Sequence, residues 1–265
     1  MSTNELKQSE GIAWGVTERI GRIVLKRAER SNSLSLAASR VLVMAINEVL
    51  DLRPRVVLLS AEGRIFCSGG DIAEFVAAGN GLDALVGDML VTMHPALHRL
   101  ATAPVPIVAA VNGPIGGAGI GLALCADFVL ASESVKLRTG YAAIGLSSDL
   151  GASYFLARRV GPVRAQRWLM LSETIDASGC LANGVVDALH PETELEEAAE
   201  HLVQQLARAA SGSLACIKTL CSGLPGRDLA AHLEFERQLL LAQTRGPDAK
   251  EGIRAFLERQ PPRFN

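Results

Sequence analysis

The sequence predicts an α/β protein whose strand and helix units give way to an all-helical tail. Three observations carry this reading. At two places, residues 56–71 and 105–121, an apolar strand-like run ends in a glycine-rich turn and restarts as a helix. From residue 149 onward the apolar residues recur mostly at helical spacing. Finally, 265 residues with 49% hydrophobic content can bury a sizeable core in one large domain, or in one domain plus an extension.

Taken in order, 13–18 and 20–26 read as a hairpin with Gly21 and Arg22 near its turn. Ser35 is placed to cap a helix over 36–50 that carries Leu42, Ala45, Ile46, Val49 and Leu50 on one face. A strand at 56–60 leads through the first glycine turn to a helix at 72–77. Residues 82–102 are amphipathic, and Pro95 within them should kink or restart the helix. A strand at 105–111, the second glycine turn, a helix at 117–125 and a strand at 127–132 follow. Beyond these the pattern gives helices near 149–159, 162–171, 176–182, 193–210, 213–222, 227–244 and 247–258, with a short strand at 184–189. The change in character near residue 200 divides the chain into 1–200 and 201–265.

Composition excludes several classes of function. Lys+Arg number 26 against Asp+Glu 28, so no global field draws nucleic acid or an acidic membrane. Residues 1–11 are polar and lack the apolar centre of a signal peptide, and no apolar run approaches the ~18–20 residues that cross a bilayer. Cys67, Cys125, Cys180, Cys216 and Cys221 are odd in number and lack metal-site spacing, as expected of reduced thiols in a cytoplasmic protein.

The two glycine turns carry the chemistry. In Ile65-Phe66-Cys67-Ser68-Gly69-Gly70-Asp71 and in Asn112-Gly113 through Gly121, small residues bring backbone N–H groups to the N-terminus of a helix. Two such turns facing one another would hold a developing oxyanion from both sides, which suits a thioester or other carbonyl substrate. Either turn alone is equally compatible with an ordinary tight strand-to-helix connection. No Gly-x-Gly-x-x-Gly register fits residues 113–121, and no Gly-Lys-Ser/Thr follows either turn, so dinucleotide and triphosphate loops are excluded.

These residues resemble the crotonase (enoyl-CoA hydratase/isomerase) superfamily. Residues 27–35 are similar to its "RPEKRNALS" loop, and 66–71 to its "FCAGAD" turn. Residues 112–119 with Ala126-Asp127 are similar to its second glycine motif, and 251–264 to its C-terminal signature. The resemblance implies a spiral of repeated ββα units over 1–200 that holds the acyl-CoA site. It also implies a helical oligomerisation region over 201–265 that builds homotrimers or hexamers. The amides of Gly70 and Ala118 would form the oxyanion hole, beside the helix opening near Gly117. Coenzyme A would lie along Arg27, Arg30, Phe66, Ser68 and Ile72. No metal or other cofactor is implied.

The family's hydratases use two glutamates, and matching the motifs puts Gly121 and Tyr141 at those positions. Neither can serve as a carboxylate base. Asp149 is the available acid, at a place where phenylacetyl-type isomerases and chlorobenzoyl-CoA dehalogenase carry aspartate; a plain helix cap is its alternative role. His94 matches the position of the dehalogenase's general base, with a solvated helix histidine as alternative. Tyr141 stands where the dehalogenase has tryptophan and is expected to line the acyl pocket. An isomerase needs only Asp149 and the two amides. A dehalogenase would need Asp149 as nucleophile, His94 as base and an aromatic cavity, in a chain that is only 4% aromatic. The isomerase is therefore favoured over the dehalogenase and over a non-catalytic acyl-CoA binder. Hydration of crotonyl-CoA should be very slow. A kcat at or above about 10 s⁻¹ in a spectrophotometric assay would refute the placement of Gly121 and Tyr141 at the two acid positions.

Overall fold

The computed structural model describes residues 6–264. Its centre is a seven-stranded sheet in the order β1-β2-β3-β4-β5-β7-β10. Strands β1 (Lys7–Ser9), β2 (Ile12–Thr17) and β3 (Ile20–Leu25) are antiparallel. From β3 the sheet continues in parallel through β4 (Val56–Ala61), β5 (Ile107–Val111), β7 (Phe128–Ser132) and β10 (Ala188–His190). The turn between β2 and β3 is Glu18-Arg19, both at positive φ, and not the Gly21-Arg22 expected from glycine content. Positive φ at both positions is the mark of a type I′ two-residue hairpin loop, whose twist matches that of the strands. Gly21 instead pairs with Val16 inside the ladder.

Helices cover both faces of the sheet, so its parallel strands read as continuous apolar runs. On one face Val57, Leu59, Ile107, Ala109, Val111, Val129 and Ala131 join a large core. That core is shared with α1 (Leu36–Asp51), α3 (Leu82–Thr102), α4 (Ala118–Leu124) and α5 (Ala152–Val160). On the other, Val56, Leu58, Val108, Ala110 and Leu130 meet Leu195, Ala199, Val203 and Leu206 of α8 (Leu195–Arg208). Residue 200 therefore falls in the middle of a helix that packs as one unit on the core, and the helical tail begins after α8. The apolar face of α8 is used up by this chain's own sheet.

Ser35 caps α1 as expected, accepting from Ala38 N. After β4 the short helix α2 (Ile72–Ala78) is capped by Asp71. Helix α3 runs through Pro95 without a restart. Pro95 and Val91 are both exposed, so the carbonyl that loses its amide partner lies on the solvent side. The stretch Ile72–Thr102 is long and apolar enough by composition alone to cross a membrane. Its α3 part instead lays Met89, Met93, Ala96, Leu97 and Leu100 into the core as an amphipathic helix does.

A second, three-stranded sheet was not anticipated. It joins β6 (Ile115–Gly116), β8 (Leu137–Arg138) and β9 (Thr174–Ile175), strands too short for alternation to show in the sequence. The connection from β8 to β9 holds α5 and α6 (Pro162–Leu171), and α7 (Ala177–Ala182) leads to β10. The strand expected over 184–189 is shorter and later.

Beyond α8 lie α9 (Ser211–Ser222), α10 (Leu229–Thr244) and α11 (Pro247–Glu258). Arg55, 7% exposed, ties this tail to the sheet. Its guanidinium donates to Ser211 Oγ at 2.9 Å, Ala209 O at 2.8 Å and Phe264 O at 3.1 Å. Lys218 of α9 adds an ion pair to Asp127 at 2.8 Å. Yet α9 and α10 bury no residue fully, and Leu229, Leu233, Leu240, Leu241, Ile253, Phe256 and Leu257 stand exposed.

Candidate active site

The two glycine turns are stitched together by backbone. Phe66 N donates to Pro114 O at 3.2 Å and Gly116 N to Cys67 O at 3.0 Å, extending the small sheet through a Cys67–Ile115 bridge. The 31–35 loop braces the first turn from outside. Leu34 N donates to Gly69 O at 2.8 Å, Asp71 N to Leu34 O at 3.0 Å and Ser68 N to Ser31 O at 3.1 Å. The turns touch where both lack side chains. A Cβ on Gly69, which sits at φ +101°, would lie 3.1 Å from Gly117 Cα and 3.2 Å from Ala118 N.

Gly117, at φ +50°, delivers the chain into α4 with Ala118 as its first residue. Among the described residues neither the Gly70 N–H nor the Ala118 N–H finds an acceptor. The first amide of a helix has no intrahelical partner by construction, and it sits at the positive end of the helix. The two unpaired donors therefore stand on touching turns. A cavity of about 20 Å³ opens between them, lined by Gly70, Ala118 and Asp149 and walled by Phe75, Met89 and Met93. Its volume is on the order of one water molecule, so an acyl chain would have to displace the methionine and phenylalanine walls.

Asp149 is half-buried, and its Oδ1 accepts a 2.6 Å hydrogen bond from the Tyr141 hydroxyl. Its side chain is not a helix cap. Helix α5 starts three residues later from Gly151, with no side-chain cap, and it is the Asp149 backbone carbonyl that accepts from Ala152 N at 2.8 Å. Tyr141 is 8% exposed. Burial, then the charge of Asp149 and the bond to it, push its hydroxyl well above the ordinary tyrosine range. Burial likewise pushes the Cys67 thiol up to about 12.

The other residues singled out from sequence are dispersed. Tyr141 lies behind Asp149 rather than among the residues that line the cavity. His94 is exposed and lines a different cavity of about 1110 Å³, shared with His98, Tyr154, Arg158 and Lys218 between α3, α5 and α9. The Arg27 guanidinium is occupied internally: it donates to Ser33 O at 2.9 Å and Ser35 Oγ at 3.2 Å, and lies 3.5 Å from Asp71. Arg30, Ser68 and Ile72 are exposed on one edge of the turn, while the Phe66 side chain is fully buried. Among the described residues no cluster of three or more His, Cys, Asp or Glu is placed to hold a metal.

Two features escaped the sequence reading. Leu150, at φ +42°, and Gly151, at φ +71°, bend the chain so that Asp149 reaches the cavity. On α4, Gly119 and Gly121 admit backbone oxygens where side chains would normally stand. Two glycines inside one short buried helix cost helix stability, and that cost is a signal in the sequence that a close approach is needed.

Comparisons with known proteins identify the family. The Enoyl-CoA hydratase/isomerase family model matches residues 15–265. A protein named probable enoyl-CoA hydratase from Rhodobacter capsulatus is 32% identical, over 96% of this chain and 97% of its own. The 1,2-epoxyphenylacetyl-CoA isomerase of Escherichia coli is 30% identical over 94% and 96%. A crystal structure of an enoyl-CoA hydratase from Polaromonas sp. JS666 superposes with a TM-score of 0.88, at 28% identity, over 96% of this chain and 99% of that one. The chain belongs to the enoyl-CoA hydratase/isomerase family.

The buried Tyr141–Asp149 pair has a measurable consequence. Tyr141 should keep its proton in the folded protein at about pH 11, so unfolding at that pH should raise the tyrosinate absorbance in the ultraviolet. The raised group keeps its proton in the folded state where the unfolded chain releases it. Its contribution to stability is thus complete below the unfolded value and should decline as pH rises past about 10. Tyrosinate absorbance at that pH that does not rise as far-ultraviolet circular dichroism reports unfolding would refute the buried pair.

Proposed function

We propose that this chain is an enoyl-CoA isomerase in which Asp149 moves the proton and the Gly70 and Ala118 amides hold the thioester oxygen. The observation that carries this reading is the placement of one carboxylate, Asp149, on the same small cavity as the two free amides. Asp149 as carboxylate takes a proton from the carbon next to the double bond or next to the carbonyl. The electron pair released moves into a dienolate, whose negative oxygen is held by the two N–H groups. The proton then returns from Asp149 to the other end of the dienolate, so one acid–base group serves both steps. Tyr141 stays protonated throughout and keeps the carboxylate aimed at the cavity by its 2.6 Å bond. Each amide donor is worth about 2.7–4 kcal/mol to the transition state.

Hydration needs a second group to position water, and the two places that would supply acids are taken by Gly121 and by the phenol of Tyr141. The dehalogenase alternative needs His94 beside Asp149, whereas His94 lines the larger cavity among exposed residues. The exposed apolar rows on α10 and α11 favour assembly into trimers or pairs of trimers, in a soluble, cytoplasmic enzyme that uses acyl-CoA without a further cofactor. Multi-angle light scattering should find a trimer or its multiple, and a stable monomer at micromolar concentration would remove the assembly.

Asp149→Asn keeps the shape of the side chain and removes the base. It should leave folding and acyl-CoA binding intact and lower 3-enoyl-CoA isomerisation by ~10²–10⁴-fold. His94→Gln should cost far less. Full isomerase turnover in Asp149→Asn would sink this reading.

A further inference from the structure

We propose that Gly121 is the positioning residue for Asp149: its missing side chain is the space through which the 149–151 backbone reaches the cavity. A Cβ built on Gly121 would lie 1.7 Å from Leu150 O, 2.8 Å from Leu150 C and 3.2 Å from Ala152 N. All three are backbone atoms, and Leu150 and Ala152 are 1% and 0% exposed, so the loop has no flexible end that can swing aside. Helix α4 cannot retreat either. A Cβ on Gly119 would lie 2.5 Å from Cys67 O. Two residues along a helix is about 200° of rotation, so the two carbonyls press on nearly opposite sides of the same backbone.

Leu150 and Gly151, both left-handed, close the turn that the Ala152 N–Asp149 O bond completes. Tyr141 then fixes the carboxylate from the other side. A side chain at 121 and an aspartate delivered by this loop therefore exclude one another. Glycine at this place is the condition for the Asp149 chemistry, and not simply an acid that is missing. Restoring an acid by Gly121→Glu should accordingly displace Asp149 and yield no crotonyl-CoA hydration.

The inference rests on Asp149 being the base, and the test separates the two. In a crystal structure of Gly121→Ala, Leu150 O should move by more than about 1 Å, because C···O contacts sit near 3.3–3.6 Å. The Tyr141–Asp149 bond should lengthen beyond hydrogen-bond reach. Isomerase kcat should fall about 10- to 100-fold, the cost of an angstrom-scale misplacement, with KM changed less than about threefold. In an Asp149→Asn background the same substitution should cost less than about twofold more, because its effect passes through that residue. Ala123→Gly weakens the same helix and adds no atom against the loop, and should leave kcat within about twofold.

If Gly121→Ala does not fold, Gly151→Ala perturbs the loop from the Phe155 side and leaves α4 untouched, and it should show the same fall and the same non-additivity. An intact Tyr141–Asp149 bond with unchanged turnover overturns the proposal, as does a loss that multiplies in full with that of Asp149→Asn. Full turnover in Asp149→Asn alone would overturn the base assignment and leave the crystallographic displacement to decide the placement.

Discussion

The backbone of α4 is pressed between two carbonyl oxygens, Cys67 O on one side and Leu150 O on the other, and the rest of the site depends on that contact. Gly119 admits the first turn, so the Ala118 amide stands beside Gly69 and Gly70. Gly121 admits the second loop, so Asp149 reaches the same cavity. With a Cβ at either position the three groups could not converge. The helix accepts about 1 kcal/mol per glycine in lost propensity, offset by the complete burial of Ile120, Leu122 and Ala123 around it.

That geometry is stiff because the sheet behind it is covered on both faces. Parallel strands β3, β4, β5 and β7 present alternate residues to a core that holds α1, α3, α4 and α5, and to a second core that holds α8. The tail beyond α8 is attached differently. Arg55 and Lys218 hold its near end by hydrogen bonds and an ion pair, while α10 and α11 keep Leu229, Leu233, Leu240, Leu241, Phe256 and Leu257 in solvent. The chain thus buries much behind its turns and little in its last helices.

Charge at the site is equally economical. One carboxylate faces two amides, and its partner is a phenol that burial keeps neutral, not a second acid. A neutral donor orients Asp149 without cancelling its charge, whereas a buried second carboxylate would have raised the cost of ionising the first. The arrangement suits a reaction in which one proton leaves and returns, and suits poorly one that must also activate water.

Much of this was legible in the sequence because it depends on local pattern. Strand runs, the Ser35 cap, the two glycine turns and the helical tail follow from periodicity and from which residues tolerate a helix end. The sequence by itself determined the α/β class, the two glycine turns and the absence of acids at 121 and 141. It did not determine what surrounds them. Whether Asp149 caps a helix or faces a cavity turned on the left-handed pair at 150–151, which no periodicity marks. His94 and Tyr141 were placed by contacts between elements far apart in the chain. The face of α8 was equally ambiguous, since an amphipathic stripe is the same whether it meets its own sheet or another copy. Only the tertiary structure decided these, because a close approach is a property of two backbones and a sequence records each of them separately.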